Sequence, residues 1–191
     1  MVADGVILAC ATTAEARAGR RAGLATALVG LRGVNGVPEG QVVSYGLAGA
    51  LDGLPRGAVL DATRVVDETG AVLWEGEPLG VRGARVGTIL GASRIVDDPA
   101  ERARLHDATG ADAVDMESGA LARSGRMAGC IRAISDTPGR RLAGVARAAK
   151  PNGEADLVGF ARGFAQAPRE TARAVVDAMR ALRALQKVAV A

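Results

Sequence analysis

The chain has 191 residues, of which 49% are hydrophobic and only 2% aromatic, and its formal net charge is +3. This length predicts a single domain over residues 1–191. The dispersed basic residues and the scarcity of aromatics argue against nucleic-acid binding, and no apolar run reaches the roughly 18 residues of a membrane span. We therefore expect a cytoplasmic protein with no transmembrane segment and no secretory signal.

Cysteine and histidine are too sparse to suggest a metal centre. Cys10 and Cys130 lie far apart in the sequence, which argues against both a zinc site and a disulfide framework. The single histidine, His106, falls inside a predicted helix, and we interpret it as a surface residue. The sequence thus predicts no bound metal.

The first half of the chain alternates apolar strands with turn residues. Strands are predicted over 5–10, 25–31 and 41–51, and as two strands around the turn DETG within 57–76. A helix is predicted over 12–23, where Thr12 is the N-cap and Glu15 completes a capping box. The segment 32–40, rich in glycine, proline and asparagine, is predicted to be a loop.

The second half continues this alternation. Strands are predicted over 84–91, 112–116 and 130–135. A helix is predicted over 97–110, where Asp98 caps, Glu101 completes a box and Gly110 ends the helix. Another helix follows over 118–128.

A long amphipathic helix is predicted at 168–188, after an irregular stretch over 137–153. Its predicted apolar face consists of Val175, Val176, Met179, Leu182 and Leu185. Alternating strands and helices predict an α/β fold: a three-layer sandwich with a mixed, largely parallel central sheet. Ligands of such sheets bind at the carboxyl ends of the strands, so functional residues are expected there.

Acidic residues follow several of these strands. CIRAISDTPG places Asp136 at the end of a buried strand, where partial desolvation suits a carboxyl group to general acid catalysis. Asp-Thr-Pro is also an ordinary turn sequence, so Asp136 has a purely structural alternative. Glu15 likewise either only completes its capping box or also serves a ligand at the end of the first strand.

The stretch VDMES brings two acids to another strand end. Asp115 and Glu117 alternate, so on an extended segment they share a side. Glu117 and Ser118 also stand at a helix start, where acids and hydroxyls stabilise free amides. In the functional interpretation, Glu117 accepts hydrogen bonds from ligand hydroxyls and Met116 packs on the apolar face of a sugar.

Four stretches in this order, YGLAGAL, GAVLDATRVVDETG, VDMESGALA and IRAISDTP, resemble the family-1 nucleoside phosphorylases and nucleosidases. The resemblance covers most of residues 5–142. Within that group, AVDMES looks most similar to the hopanoid-associated phosphorylases, bacterial proteins assigned to removing adenine from adenosylhopane. The implied fold is nucleoside phosphorylase-like, and the implied reaction is cleavage of the N-glycosidic bond of a purine nucleoside.

The resemblance also implies roles for the acids. The transition state of this reaction resembles an oxocarbenium ion, and the leaving purine must gain a proton or a strong hydrogen bond. The position of Asp136 matches the acid that serves the base, with Ser135 in support. Glu117 matches the ribose ligand, Met116 packs on the sugar, and Glu15 matches the residue that orients the attacking water.

Further site residues follow from the same resemblance. Backbone groups of Ala48 and Gly49 are expected near the ligand, and those near Ile95 are expected to read the edge of the base. The resemblance implies a small-molecule substrate, a homo-oligomer and no cofactor, with phosphate as an alternative co-substrate to water.

Three features depart from the family pattern. The 32–40 loop replaces a longer segment that often carries phosphate contacts, Leu47 replaces a small hydroxyl residue, and Arg94 stands where an aromatic often stacks on the base. Arg32 and Arg64 remain candidates for binding an anion. Methylthioadenosine/S-adenosylhomocysteine nucleosidase, futalosine hydrolase and a catalytically inactive nucleoside-binding protein are the alternatives.

Overall fold

The structure is a computed structural model that describes residues 6–139 and 142–188, so the basic pair Arg140 and Arg141 lies outside the described residues. The strands are β1 Ile7–Cys10, β2 Thr26–Leu28, β3 Val42–Ala50, β4 Val59–Val66, β5 Val72–Glu75, β6 Arg85–Gly91, β7 Ala113–Asp115 and β8 Met127–Asp136. The α-helices are α1 Thr13–Arg21, α2 Pro99–Thr109, α3 Ser118–Arg123, α4 Leu157–Gln166 and α5 Pro168–Gln186, with 3-10 turns at Leu31–Gly33 and Ala143–Arg147.

All the strands join one mixed sheet of eight strands. The pairs β1–β2, β1–β3, β3–β8, β4–β6 and β6–β7 are parallel, whereas β3–β7, β4–β5 and β4–β8 are antiparallel. The predicted α/β class with a mixed, largely parallel sheet is therefore confirmed. The pairing of β8 with both β3 and β4 was not predicted, and it closes β3, β8, β4, β6 and β7 into a ring.

Two apolar clusters lie on opposite faces of the strands. In β8, Cys130 and Ile134 belong to the cluster that contains Leu121 of α3, whereas Ile131 and Ala133 belong to the cluster that contains Leu185 of α5. This alternation follows from the two-residue period of a strand. Because both faces of β8 are buried, its last residues, Ser135 and Asp136, are held in a fixed position.

The predicted helix starts agree with the structure at α1 and α2. Thr12 and Glu15 form the predicted capping box, and Asp98 accepts a hydrogen bond from the Glu101 backbone amide. The predicted capping box at α2 was wrong in its second hydrogen bond, from the Asp98 amide to the Glu101 side chain, because the Glu101 carboxylate binds Arg94 (2.6 Å) instead. Gly110 ends α2 in the left-handed conformation (φ 65°).

The C-terminal helices differ from the prediction. Val176 and Met179 of the predicted apolar face of α5 are 57% and 49% exposed, whereas Ala174 and Ala181 are buried. The helix turns its small residues inward because it packs closely against β8. Helix α4 was not predicted at all. Among the described residues, no helix is both long and apolar enough to cross a membrane.

Candidate active site

One cavity of about 230 Å³ opens where several strands end. Every residue to which the resemblance assigned a role in binding or cleaving the nucleoside lines it: Glu15, Ala48, Gly49, Ile95, Met116, Glu117, Ser135 and Asp136. These residues are distant in sequence, and the sheet brings them together because β1, β3, β7 and β8 are neighbours. The cavity therefore combines four acidic residues, Glu15, Asp115, Glu117 and Asp136, with a mostly aliphatic wall.

Glu15 both caps α1 and faces the cavity. Its Oε2 accepts hydrogen bonds from the backbone N (2.8 Å) and hydroxyl (2.9 Å) of Thr12, and its Oε1 accepts one from the Leu47 amide (2.8 Å). The side chain is only 4% exposed. The two alternatives for Glu15 are thus compatible in geometry, because the hydrogen bonds that cap the helix also hold the carboxylate at the cavity wall.

Glu117 is held at the end of β7, just before α3. Its Oε1 accepts a hydrogen bond from the backbone N of Arg32 (3.2 Å). Arg32 adopts a left-handed conformation (φ 57°), which is uncommon for a residue with a side chain. Burial, assisted by the nearby Asp115, raises the pKa of Glu117 to about 8. A largely protonated Glu117 at neutral pH has a hydrogen to donate as well as a lone pair to accept.

The raised pKa of Glu117 makes the stability of the protein depend on pH. The folded chain keeps the Glu117 proton up to about pH 8, whereas the unfolded chain loses it near the ordinary value of 4.5. Between these values the folded state binds more protons, so this group lowers the free energy of unfolding as pH rises. Glutamine does not ionise, so we expect Glu117→Gln to lack this pH dependence. The free energy of unfolding of the variant, relative to that of the native protein, should therefore increase from about pH 5 to about pH 8.

The measurement is urea denaturation of both proteins across that pH range. Glu39→Gln, at an exposed position outside the cavity, is the control. A stability difference between Glu117→Gln and the native protein that stays constant with pH would contradict the prediction.

A buried arginine of β8 lies behind the carboxylates. Nη2 of Arg132 lies 2.5 Å from Asp115 Oδ2 and donates to the hydroxyls of Ser44 (2.5 Å) and Ser118 (3.0 Å). Asp115 also accepts hydrogen bonds from the Ser118 amide and hydroxyl. Asp115 therefore supports the start of α3, and it also lines the cavity.

The charge of Arg132 balances several acids at once. Its guanidinium is fully buried, and burial disfavours its charged form. The negative charges around it, that of Asp115 first, outweigh that effect and raise the pKa of Arg132. Its Nε and Nη1 find no hydrogen-bond partner within residues 6–139 and 142–188. The acids thus hold the guanidinium largely by charge, a role that sequence reasoning missed.

Gly46 of β3 leaves the space in which these charges meet. A Cβ atom at Gly46 would overlap both the Arg132 guanidinium and the Glu15 carboxylate. We expect Gly46→Ala to destabilise the protein by about 1–3 kcal/mol, the usual cost of overpacking. Gly53→Ala is the control, since a Cβ at Gly53 meets open space. Urea denaturation checks this prediction, and equal stability of the two variants would contradict it.

Asp136 is anchored through both carboxylate oxygens. Ser135 Oγ donates to Oδ1 (2.7 Å), and Arg102 Nη2 donates to Oδ2. Arg102 is itself buried in α2, with Nε bound to the Val96 carbonyl (3.0 Å) and Nη1 to the Ala50 carbonyl (3.1 Å). The sequence prediction missed Arg102, because an arginine in a helix at the surface of a protein is ordinarily exposed.

Of the residues that depart from the family pattern, Leu47 and Arg94 line the cavity. Arg94 is tied to Glu101 (2.6 Å) and Glu68 (3.4 Å). Arg64 lies outside the cavity and pairs with Glu75 (2.7 Å) on the exposed surface.

Other reactive side chains contribute little to the cavity. His106 does not line it; its Nδ1 lies 2.8 Å from the Ala111 carbonyl oxygen, and its side chain is 33% exposed. Burial raises the pKa of the Cys130 thiol to about 11, so that thiol stays neutral. No group of three potential metal ligands occurs among the residues that the structure describes.

A second cavity of about 340 Å³ adjoins the first, and Met116 lines both. The side chains around it include Arg32, Arg123, Thr69 and Ser93, together with the acids Asp67 and Glu68. Arginine and hydroxyl groups favour an anion, whereas the two acids oppose one. Arg32 lines this second cavity, and its backbone amide donates to Glu117, which lines the first.

An α/β sheet whose strand ends gather buried carboxylates around one concave pocket is typical of an enzyme that acts on a small molecule. The family model of the phosphorylase superfamily matches residues 79–179, more than half of the chain. The chain therefore belongs to the phosphorylase superfamily, a class of enzymes. No curated protein sequence matches it.

Solved structures share the fold at low sequence identity. Helicobacter pylori methylthioadenosine/S-adenosylhomocysteine nucleosidase, solved with 5′-methylthioadenosine, is 15% identical with a TM-score of 0.57, covering 94% of this chain and 96% of that chain. The Streptococcus pneumoniae nucleosidase is 15% identical (TM-score 0.57, 93% and 99% covered). Helicobacter pylori futalosine hydrolase is 13% identical (TM-score 0.53, 91% and 96% covered).

Proposed function

We propose that this protein cleaves the N-glycosidic bond of a purine nucleoside. The observation that carries the proposal is the cavity in which Glu15, Glu117 and Asp136 converge from three separate strand ends. Each of these carboxylates is at most 5% exposed. Buried acids cost free energy, so their convergence on a cavity favours a catalytic role over a purely structural one.

The ribose is proposed to bind between Glu117 and Met116. A protonated Glu117 donates to one ribose hydroxyl and accepts from another, while the Met116 thioether packs on the sugar face. Positive charge builds on the ribose as the bond to the base breaks. The hydrogen bond that Glu117 accepts from a ribose hydroxyl increases the electron density on the sugar and so stabilises the transition state.

The purine is proposed to leave toward Asp136. Ser135 and Arg102 donate to both oxygens of this carboxylate, so Asp136 rests as an acceptor and must take up a proton from solvent before it can donate one. We assign that proton to the five-membered ring of the departing base, with Ser135 holding the orientation. Backbone groups near Ile95 are proposed to contact the base edge.

Water is the proposed nucleophile, held by Glu15, which takes up a proton from the water as the new C–O bond forms and later releases it to solvent. Its carboxylate lines the same cavity as the other two acids and is fixed by Thr12 and Leu47. Phosphate is the alternative co-substrate, and the specific observation in its favour is the second cavity with Arg32 and Arg123. Hydrolysis is preferred because Asp67 and Glu68 share that second cavity.

The 5′ substituent of the nucleoside is proposed to be apolar. One wall of the cavity is aliphatic and consists of Leu142, Val145, Ala146, Ala149, Ala174 and Ala178. Such a wall favours a hydrocarbon or thioether over a charged group. Adenosylhopane, with release of adenine in hopanoid biosynthesis, is the proposed physiological substrate, and methylthioadenosine, S-adenosylhomocysteine and futalosine are the alternatives.

The test is release of free base. The purified chain is incubated with adenosine, methylthioadenosine and inosine, each with and without phosphate. Release without phosphate identifies a hydrolase, and release only with phosphate identifies a phosphorylase. No release from any mixture would contradict the proposed activity on these nucleosides and favour the inactive nucleoside-binding alternative.

A further inference from the structure

Helix α4 turns its glycines toward the protein and its large apolar side chains toward solvent. Gly159 and Gly163 face the preceding 3-10 turn, where a Cβ at Gly163 would lie 2.6 Å from the Gly144 Cα. The large apolar side chains point to solvent: Leu157 is 77% exposed, Val158 69% and Phe164 42%. A helix on a globular domain normally buries its apolar face, so this surface requires a partner.

The charges around this apolar surface are basic. Residues 157–169 contain Arg162 and Arg169 but no acidic residue. Both arginines are exposed, and so is Arg147, which binds the Gln166 side chain (3.1 Å) at the end of α4. Glu154, near the start of the helix, is paired with Lys150 (3.5 Å). The cations Arg147, Arg162 and Arg169 therefore border the apolar surface, with Asp156 capping the start of α4 and the exposed Glu170 beyond its end.

We propose that the exposed face of α4, formed by Leu157, Val158 and Phe164, docks on an anionic lipid surface. A helix with leucine and phenylalanine on one side and arginines beside them fits the boundary between lipid head groups and acyl chains. Pairing of α4 with α4 of a second copy fits less well, because two-fold symmetry would bring Arg162 close to its own equivalent.

The docking face lies beside the aliphatic wall of the cavity. The 3-10 turn Ala143–Arg147 contacts α4, and its residues Val145 and Ala146 line the cavity. Docking through α4 would hold that wall near the lipid surface. The docking proposal itself does not depend on the proposed reaction, because the face exists whatever the cavity binds.

The experiment is sedimentation of the full chain with phosphatidylcholine vesicles that contain or lack phosphatidylglycerol, in the absence of nucleoside. We expect binding to the anionic vesicles and at least about tenfold weaker partitioning for Leu157→Ser with Phe164→Ser, since two apolar side chains lose their burial. Arg162→Glu is expected to weaken binding at low salt in particular.

The control is Val72→Ser with Val86→Ser, two valines that are 52% and 55% exposed on β5 and β6. Equal partitioning of the two double variants, equal binding to both vesicle types, or no binding by the native chain would each overturn the proposal. So would light scattering that shows a native dimer dissociated by Leu157→Ser with Phe164→Ser. None of these readouts measures base release, so failure of docking is distinct from failure of the proposed activity.

Discussion

Asp136→Asn is expected to lower kcat for base release by at least about 100-fold, the usual scale of a general acid. Asparagine keeps the size of the side chain, and its oxygen still accepts a hydrogen bond from Arg102. It has no carboxyl proton to deliver to the leaving purine. Because Asp136 is proposed to act on the departing base, the loss should appear mainly in kcat rather than in KM.

The matched control is Asp61→Asn. Asp61 is also a buried aspartate at the sheet, 2% exposed, and its oxygens accept from the Leu79 and Val81 amides outside the cavity. Steady-state rates with the best nucleoside of the release assay check the prediction, together with thermal unfolding of both variants. A folded Asp136→Asn protein with near-native kcat would refute the assigned role.

Local signals in the sequence predicted the helix starts and strand ends well. Thr12 with Glu15, and Asp98 with Gly110, satisfy free backbone groups within one helical turn, so nearby residues determine them. Each acid of the cavity follows a short apolar strand, and the alternation of strands and helices makes strand ends meet. Convergence of Glu15, Glu117 and Asp136 on one cavity is therefore a consequence of topology that sequence patterns indicate.

Local sequence patterns did not predict that Arg102 and Arg132 are buried. An arginine enters a core only where distant groups neutralise it, and Arg132 depends on Asp115 and Ser44 from other strands. Arg102 depends in the same way on Asp136. Closure of the ring by β8 creates both environments, and no short-range pattern specifies which two neighbours a strand takes.

The C-terminal helices show a different limit. Periodicity assigns the larger apolar residues of a helix to its buried face. In α4 close approach to the Gly144 backbone selects Gly163 for the interior and leaves Phe164 exposed, and in α5 Ala181 is buried while Met179 is exposed. Hydrophobicity alone cannot distinguish a tight interface of small residues from a solvent face, so the predicted face of α5 is correct at Leu185 but wrong at Val176 and Met179.

Arg132→Met is expected to lower the free energy of unfolding by about 3–5 kcal/mol, the scale for breaking a buried ion pair by removing one partner. Methionine fills much of the space but provides no charge. The Asp115 carboxylate would keep only its contacts with Ser118, and the nearby Glu15 would lose the cation that balances it. The substitution therefore affects the support of the site as well as the core.

Two further variants separate charge from packing in urea denaturation. Arg64→Met removes the exposed pair with Glu75, and a cost of about 0–1 kcal/mol is expected there. Arg132→Met combined with Asp115→Asn should be more stable than Arg132→Met alone, because one unbalanced buried carboxylate is gone. If Asp115→Asn lowered the free energy of unfolding as much in the Arg132→Met protein as in the native protein, the two side chains would not be coupled. Charge balance would then not explain the burial of Arg132.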